Sequence, residues 1–112
     1  MKAKIRTLKN YEIRNKHKFE IFSTAGITEI TNGDRQSIAD IIISVTHRIE
    51  NADFGDVPEG VLKDNYQALR KNKGVVISRY IYHEAAILVL LDFDTKYMEV
   101  GLCKEYNETT NN

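Results

Sequence analysis

The pattern of apolar positions in the second half of the chain predicts three neighbouring strands. Residues 85–93 contain the only run of seven consecutive apolar residues, which is typical of a strand covered on both faces or lying at the centre of a sheet. Residues 75–84 are rich in β-branched and aromatic side chains, and residues 97–105 alternate between apolar and other side chains. We therefore expect an antiparallel meander with residues 85–93 as its middle strand.

The junction between the first two of these strands has two interpretations. Residues 83–86 contain no Gly, Pro, Asn or Asp, so they are either a tight turn or the bend of one long strand. An unbroken strand of roughly 19 residues would far exceed the usual length, which favours the turn.

Helical periodicity precedes the meander in two segments. In residues 34–50, apolar side chains recur at the spacing of one helix face, namely Ile38, Ile41, Ile42, Val45 and Ile49. Thr31 or Asn32 is expected to cap this helix. A second, shorter helix is expected to start near Pro58 and to end before Gly74.

The first quarter of the chain predicts one strand and a basic arm. Residues 19–25 have the β-branched and aromatic content of a strand. Residues 1–18 carry only a few apolar side chains. Ile5, Leu8 and Glu12 fall at helical spacing and Tyr11 lies three residues beyond Leu8, a pattern that allows a short, frayed helix.

Together these elements predict a two-layer α+β domain of order β-α-α-β-β-β, with a C-terminal antiparallel meander that helices cover on one face. We expect a basic N-terminal arm in residues 1–18, one α+β domain in residues 19–106 and a frayed polar tail in residues 107–112. An exposed edge of the strand at 19–25 or of the strand at 97–105 could pair with a second copy, so a homodimer is one expectation.

Composition restricts the class of protein. The chain has 112 residues, of which 42% are hydrophobic and 29% charged, as in ordinary soluble domains. Its one cysteine excludes an intrachain disulfide, no apolar run is long enough to span a bilayer, and no apolar segment follows the basic start. We therefore expect a cytoplasmic protein without a membrane span or signal peptide.

The net charge of zero hides an asymmetry between the arm and the rest. Residues 1–18 hold seven Lys and Arg and one Glu, a net of +6, so the remainder has a net of −6. The arm is either solvated and weakly attracted to the acidic body, or it contacts phosphate groups. The cations concerned are Lys2, Lys4, Arg6, Lys9, Arg14, Lys16 and Lys18.

Candidate chemistry is sparse. Asp92 and Asp94 leave the same face of a strand end and could bind a divalent cation, and His83 could pair with them across a hairpin. The alternative is a solvated hairpin end, where Asp is common. The chain has no glycine-rich phosphate loop and no nucleophile–base spacing, so we expect neither an enzyme nor a bound cofactor or metal.

Tyrosines offer a second candidate surface. Tyr80, Tyr82, Tyr97 and Tyr106 belong to the predicted meander or follow it, and they could stack on nucleobases. They could equally line the core or anchor a protein interface.

Several short motifs are spread over most of the chain, namely Ile5-Arg6-Thr7-Leu8, Thr24-Ala25-Gly26-Ile27, Arg35, Asp53-Phe54-Gly55, Leu91-Asp92-Phe93-Asp94 and Gly101-Leu102-Cys103-Lys104-Glu105-Tyr106. With these motifs the chain resembles a group of small uncharacterised proteins of plasmids, phages and integrative elements, some labelled as restriction-associated. The second helix and the aliphatic strand at 85–93 depart from that group. The resemblance implies a bacterial or phage mobile-element setting and no particular reaction.

These observations lead to three hypotheses of function. The first is a non-catalytic binding protein of a phage or mobile element, an inhibitor of a host-defence nuclease that binds its protein partner through an acidic surface. That surface would consist of Asp53, Asp56, Asp64, Asp92, Asp94 and Glu99. The second is a nucleic-acid accessory protein that uses the basic arm, and the third is a small metal-dependent hydrolase around His83, Asp92 and Asp94.

Overall fold

The computed structural model describes residues 4–13 and 17–110, with side chains for all of these except residues 9, 10 and 107–110. Within these ranges five strands and four helices follow one another along the chain. They are β1 (Lys4–Ile13), β2 (His17–Thr24), α1 (Ala25–Ile30), α2 (Arg35–Glu50), α3 (Glu59–Lys71), β3 (Val75–Tyr82), β4 (Ala85–Asp92), β5 (Tyr97–Leu102) and α4 (Cys103–Thr110).

All five strands belong to one mixed sheet of order β1-β2-β5-β4-β3. Strands β3, β4 and β5 form the antiparallel meander expected from the sequence, and β2 pairs with β5 in parallel. The predicted α+β class is confirmed. The predicted order of elements is incomplete, because it lacks β1, α1 and α4. The sequence pattern also gives no order of strands in the sheet, and it does not contain the parallel pairing that places β5 at the centre.

The expectation of a short helix near the N-terminus is wrong, because Lys4–Ile13 is a strand that pairs antiparallel with β2. Register shifts between Arg6 and Leu8 and between Leu8 and Tyr11 interrupt its alternation. Leu8, Tyr11 and Ile13 therefore pack against the core at spacings of three and two residues instead of a strict two. This spacing is what suggested a helix.

The apolar stripe of α2 packs against the sheet as predicted, and its five members are all buried. Its cap differs from the expectation. Asn32 and Gly33 have positive φ angles of 53° and 71° and form the turn after α1, so the N-cap moves to Asp34. The Asp34 carboxylate accepts a hydrogen bond from the backbone N–H of Ser37 at 2.9 Å.

The strand β4 is the middle of the meander, although β5 lies at the centre of the sheet. On the face toward α2, Ile87, Val89 and Leu91 are almost fully buried, whereas Leu88 and Leu90 on the other face are partly exposed. The run of seven apolar residues is therefore covered fully on one face only.

The junction between β3 and β4 is the predicted tight turn. His83 and Glu84 have φ angles of 45° and 70°, as the two central residues of a type I′ hairpin require. The absence of Gly and Asn from this turn hid it in the sequence, since these are the residues that usually adopt such angles.

The edge strands of the sheet are β1 and β3, and neither is a strand whose edge was expected to support a dimer. The predicted strands at 19–25 and 97–105 correspond to β2 and β5, which are interior, so neither has a free edge. The outer edge of β3 is covered in part. The Asn65 amide of α3 bonds the backbone N–H and C=O of Ile77, and Arg79 forms a bridge with Gly55. No helix in the described ranges is long and apolar enough to cross a membrane.

Candidate protein-binding surface

One face of the sheet carries an apolar surface that α1, α2 and α3 do not cover. The residues of this surface alternate with the buried residues along β3 and β4, and the pairing register of the two strands places the surface residues of one strand beside those of the other. We call this surface the open face; it consists of Val75, Ile77, Arg79, Ile81, Ala86, Leu88 and Leu90. Ile81 is 68% exposed and Val75 is 39% exposed, which is unusual for aliphatic side chains on a sheet.

Arg79 is the one charged residue within the open face, between Ile77 and Ile81 along β3. Its side chain is exposed and forms no ion pair with any residue that the structure describes. The open face therefore combines aliphatic side chains with one available guanidinium, an arrangement suited to a partner that presents apolar side chains and a carboxylate.

The helix α4 covers part of this sheet face, where it contacts β5 and the neighbouring strand β4. A Cβ atom on Gly101 would approach the Tyr106 ring to 2.8 Å, which shows how closely α4 lies on the strand. The Tyr106 hydroxyl donates to the Glu99 carboxylate at 2.5 Å. These contacts fix α4 over β5 and leave β3 open.

A buried carboxylate holds this arrangement together. Glu99 is 3% exposed and accepts hydrogen bonds from the Lys4 ammonium at 3.0 Å and from the hydroxyls of Tyr97 and Tyr106. The Lys4 ammonium also donates to the Tyr97 oxygen at 2.6 Å and lies 4.6 Å from the centre of that ring. We call these four residues the Glu99 cluster.

The protonation states of the Glu99 cluster follow from burial and hydrogen bonding. Burial is the main cause that raises the pKa of Tyr97 and that of Tyr106, and the hydrogen bond that each donates to Glu99 raises it further. The hydrogen bond with Tyr97 and the nearby Glu99 charge raise the pKa of Lys4. At neutral pH the phenols stay protonated and the ammonium stays charged, so the cluster joins β1 and α4 to the central strand.

The predicted acidic residues do not form one group. Glu99 is buried in the cluster just described and contributes no charge to the surface. Asp53 and Asp56 flank Gly55 beside β3, Asp64 is on the exposed side of α3, and Asp92 and Asp94 are at the hairpin after β4. Cations lie among them, since Arg48 pairs with Asp53 at 2.8 Å, and Lys71 and Lys73 share a surface hollow with Asp64.

Three of these aspartates stabilise turns. Asp53 accepts from Arg48 and from the backbone N–H of Gly55, and the bond to Arg48 is the largest cause that lowers its pKa. Asp92 accepts from the backbone N–H groups of Asp94 and Thr95. Asp94 accepts from the backbone N–H of Gly74 at 3.2 Å, which ties the hairpin to the start of β3.

The basic residues of the predicted arm are dispersed over β1 and β2. Lys4 is held by the Glu99 cluster, Arg6 pairs with Glu20 at 2.8 Å, and Lys18 is exposed on β2. Lys2, Arg14 and Lys16 lie outside the described residues, as does the side chain of Lys9.

The expected pairing of His83 with Asp92 or Asp94 is wrong. His83 lies in the turn before β4 and the two aspartates lie at its other end, so the eight-residue strand separates them by roughly 25 Å. No group of three His, Cys, Asp or Glu in residues 4–13 and 17–110 is placed to hold a metal ion.

The four tyrosines singled out in the sequence do not share one surface. Tyr80 is 4% exposed on the face toward α2, where its hydroxyl donates to the backbone oxygen of Asp53 at 2.8 Å. Tyr82 is on that same face, whereas Tyr97 and Tyr106 belong to the Glu99 cluster. A stacking platform made of all four is therefore excluded.

The sequence does not indicate the open face, because the apolar run in residues 85–93 predicts a strand that is covered on both faces or lies at the centre of a sheet. The signal that could have indicated it is in β3, where Val75, Ile77 and Ile81 share a face with Arg79 while Ser78 occupies the other. A strand that carries apolar residues on both faces is expected to be covered on both faces. In the structure, the face of β3 that carries Val75, Ile77 and Ile81 is left uncovered.

No family model, curated protein or solved structure matches the chain.

Proposed function

We propose that the protein is a non-catalytic protein-binding module whose contact surface is the open face. The observation that carries this proposal is the exposure of Ile81 and Val75 beside Ile77, Leu88 and Leu90 on an otherwise well-packed sheet. Exposed aliphatic surface of this kind is a marker of interaction sites, because solvent contact with it costs free energy that binding recovers.

The partner that fits is a different protein that presents apolar side chains around a carboxylate. The carboxylate would pair with Arg79, which becomes a strong contact once the surrounding aliphatic residues exclude water. A second copy of the chain is a poorer partner, because a twofold axis through the centre of the open face would bring two Arg79 side chains together.

Site-specific photocrosslinking in bacterial cells tests this proposal, since the resemblance described above implies a bacterial setting. A photoreactive residue replaces Ile81 on the open face or, as the matched control, Lys63 on the exposed side of α3. We expect one discrete protein adduct from position 81 and none from position 63. The same adduct should disappear when Arg79→Glu is added and persist when Arg70→Glu is added.

Three outcomes would contradict the proposal. Equal adducts from both positions would indicate non-specific contact, and an adduct of twice the protomer mass would indicate self-association. Loss of the position-81 adduct after nuclease treatment of the cells would indicate nucleic acid as the partner.

The narrower hypothesis of a host-defence nuclease bound through the acidic residues stays a prediction. It can be tested separately, because Asp56 and Asp64 are exposed and lie outside the open face. Under that hypothesis, Asp56→Lys and Asp64→Lys would abolish inhibition of the nuclease, whereas Ile81→Glu would not. The nucleic-acid hypothesis also stays a prediction, and no observation on the described residues of the arm favours it over protein binding.

A further inference from the structure

A cleft with a cavity volume of about 600 Å³ lies between β1 and the first turns of α2, on the opposite side of the sheet from the open face. Ile5 of β1 lines this cleft and is 62% exposed, so an aliphatic side chain borders the cavity without being buried. We call this cavity the β1–α2 cleft; its lining is Ile5, Arg6, Thr7, Leu8, Ser23, Thr28, Gly33, Arg35, Gln36, Ile38 and Ala39.

Two polar groups of the β1–α2 cleft are fixed in place. The Thr7 and Ser23 hydroxyls bond each other at 2.6 Å, and Ser23 is 1% exposed although it lines the cavity. Ile5, Leu8, Ile38 and Ala39 and the carbon atoms of the polar side chains make most of the exposed wall apolar. A cavity of this volume with an apolar wall and a small number of positioned polar groups is typical of small-molecule sites.

The charged residues of the lining are Arg6 and Arg35, and no Asp or Glu is among them. The register places the Arg6 side chain, with Glu20 and Phe22, on the other face of the sheet, so Arg35 is the cation of the lining that is available to the cleft. Arg6 pairs with Glu20 at 2.8 Å, whereas the Arg35 guanidinium has no ion pair with a residue in the described part of the chain. Asp34, next to Arg35 in sequence, directs its carboxylate to the backbone and hydroxyl of Ser37.

We propose that the β1–α2 cleft binds a small amphipathic anion, with an aliphatic body against Ile5, Leu8 and Ile38 and a carboxylate paired with Arg35. Burial of the aliphatic body supplies most of the affinity, and the guanidinium selects an anion over a neutral or cationic molecule of the same shape. This site is separate from the open face and does not depend on the protein-binding proposal.

Three eight-carbon probes with the same tail and different head groups test the proposal: octanoate, 1-octanol and octylammonium. Each is titrated into ¹⁵N-labelled protein, and amide chemical shifts map the bound position. We expect octanoate to shift the amides of Ile5, Thr7, Ser23 and Ala39 saturably, with a Kd of about 1 mM or tighter. Octanol should bind the same amides more weakly, and octylammonium should not bind there.

Matched arginine variants distinguish recognition of the carboxylate by Arg35 from non-specific hydrophobic binding. Arg35→Gln should raise the Kd for octanoate about fivefold and leave octanol unchanged, since an exposed ion pair contributes about that factor. Arg70→Gln, an exposed arginine on α3, should change neither. Ala39→Phe should fill the cleft and weaken both probes.

Several results would overturn the proposal without requiring any variant to fold. These are shifts from octanoate confined to the open face, equal binding of octanoate and octylammonium, and no saturable shifts up to about 10 mM, a concentration ten times the expected Kd.

Discussion

The Glu105 carboxylate of α4 accepts a hydrogen bond from the backbone N–H of Gly26 at 3.0 Å and so caps the first turn of α1. Its other oxygen accepts from the backbone N–H of Leu102 at 2.7 Å, at the start of its own helix, and from the Thr24 hydroxyl. The parallel strands β2 and β5 end side by side, and one carboxylate satisfies the N-termini of the two helices that follow them.

Substituting Glu105 should therefore destabilise both helix starts. We expect Glu105→Ala to lower the free energy of unfolding by about 2 kcal/mol, because it leaves donors of two first turns without an acceptor. Glu105→Gln, which keeps one acceptor oxygen, should cost less. Urea denaturation measures the loss of stability in both variants.

Lys104→Ala, at the exposed neighbouring position, is the control and should have an effect below about 0.5 kcal/mol. A Glu105→Ala variant as stable as the control would show that water replaces the cap.

At Ile77, the outer edge of β3 is paired by a single side chain of α3. Asn65 is 1% exposed; its amide nitrogen donates to the Ile77 oxygen at 2.7 Å and its amide oxygen accepts from the Ile77 N–H at 3.0 Å. Asn65→Leu should destabilise by about 2–3 kcal/mol, because two backbone groups lose their partners. Asn65→Asp should lose the donor only, and the exposed Gln67→Ala should change little.

Hydrogen exchange gives an independent readout of the same contact. The Ile77 amide should exchange much faster in Asn65→Leu than in the wild type, beyond the increase that lower global stability causes at other amides of β3. Equal acceleration along the whole strand would mean that Asn65 acts only through packing.

The Asp34 cap should make stability depend on acid pH. The bonds from the Ser37 hydroxyl and backbone N–H lower the pKa of Asp34 below its ordinary 3.8. A lowered folded-state pKa contributes stability above pH 3.8 that is lost as the pH falls through the folded value. Ser37→Ala removes the larger cause, so the Asp34 pKa measured by NMR should rise. Ser44→Ala, on the exposed side of the same helix, should leave it unchanged.

The parts of the fold that could be predicted are those in which burial repeats at a regular interval. The stripe from Ile38 to Ile49 on α2 and the meander β3-β4-β5 meet this condition. Strand β1 does not, because two irregularities in its register give Leu8 and Tyr11 a helix-like spacing. The parallel pairing of β2 with β5 joins residues about 77 apart in sequence, for example Glu20 and Tyr97, and no local pattern encodes it.

The candidate surfaces, too, could be predicted only as far as a local sequence pattern determines them. Alternation in β5 correctly separates Glu99 from Met98 and Val100, but it does not tell whether the face of Glu99 is solvated. Tyr106 and Lys4 cover that face, from a helix and a strand that the sequence pattern did not predict. The sequence pattern therefore assigns the buried Glu99 to the surface and predicts that the open face on β3 and β4 is covered.

The Glu99 cluster should make stability depend on alkaline pH. Burial and the bond to Glu99 raise the pKa of Tyr106 above its ordinary 10.0. A raised folded-state pKa contributes stability that is fully present below pH 10 and is lost as the pH rises toward the folded value. Stability should thus be constant between neutrality and about pH 9.5 and should decline above pH 10.

The variant Tyr106→Phe separates the hydrogen bond from the packing of the ring. At pH 7 it should cost about 1–2 kcal/mol, because Glu99 loses one donor in a buried site, and its decline above pH 10 should be shallower since the titrating hydroxyl is gone. Denaturant unfolding at pH 7, 9 and 11 measures both effects. Tyr66→Phe, at a tyrosine that is 50% exposed on α3, is the control and should follow the wild type at pH 7. A decline as steep as the wild type in Tyr106→Phe would assign the alkaline loss to Lys4 or Tyr97 instead.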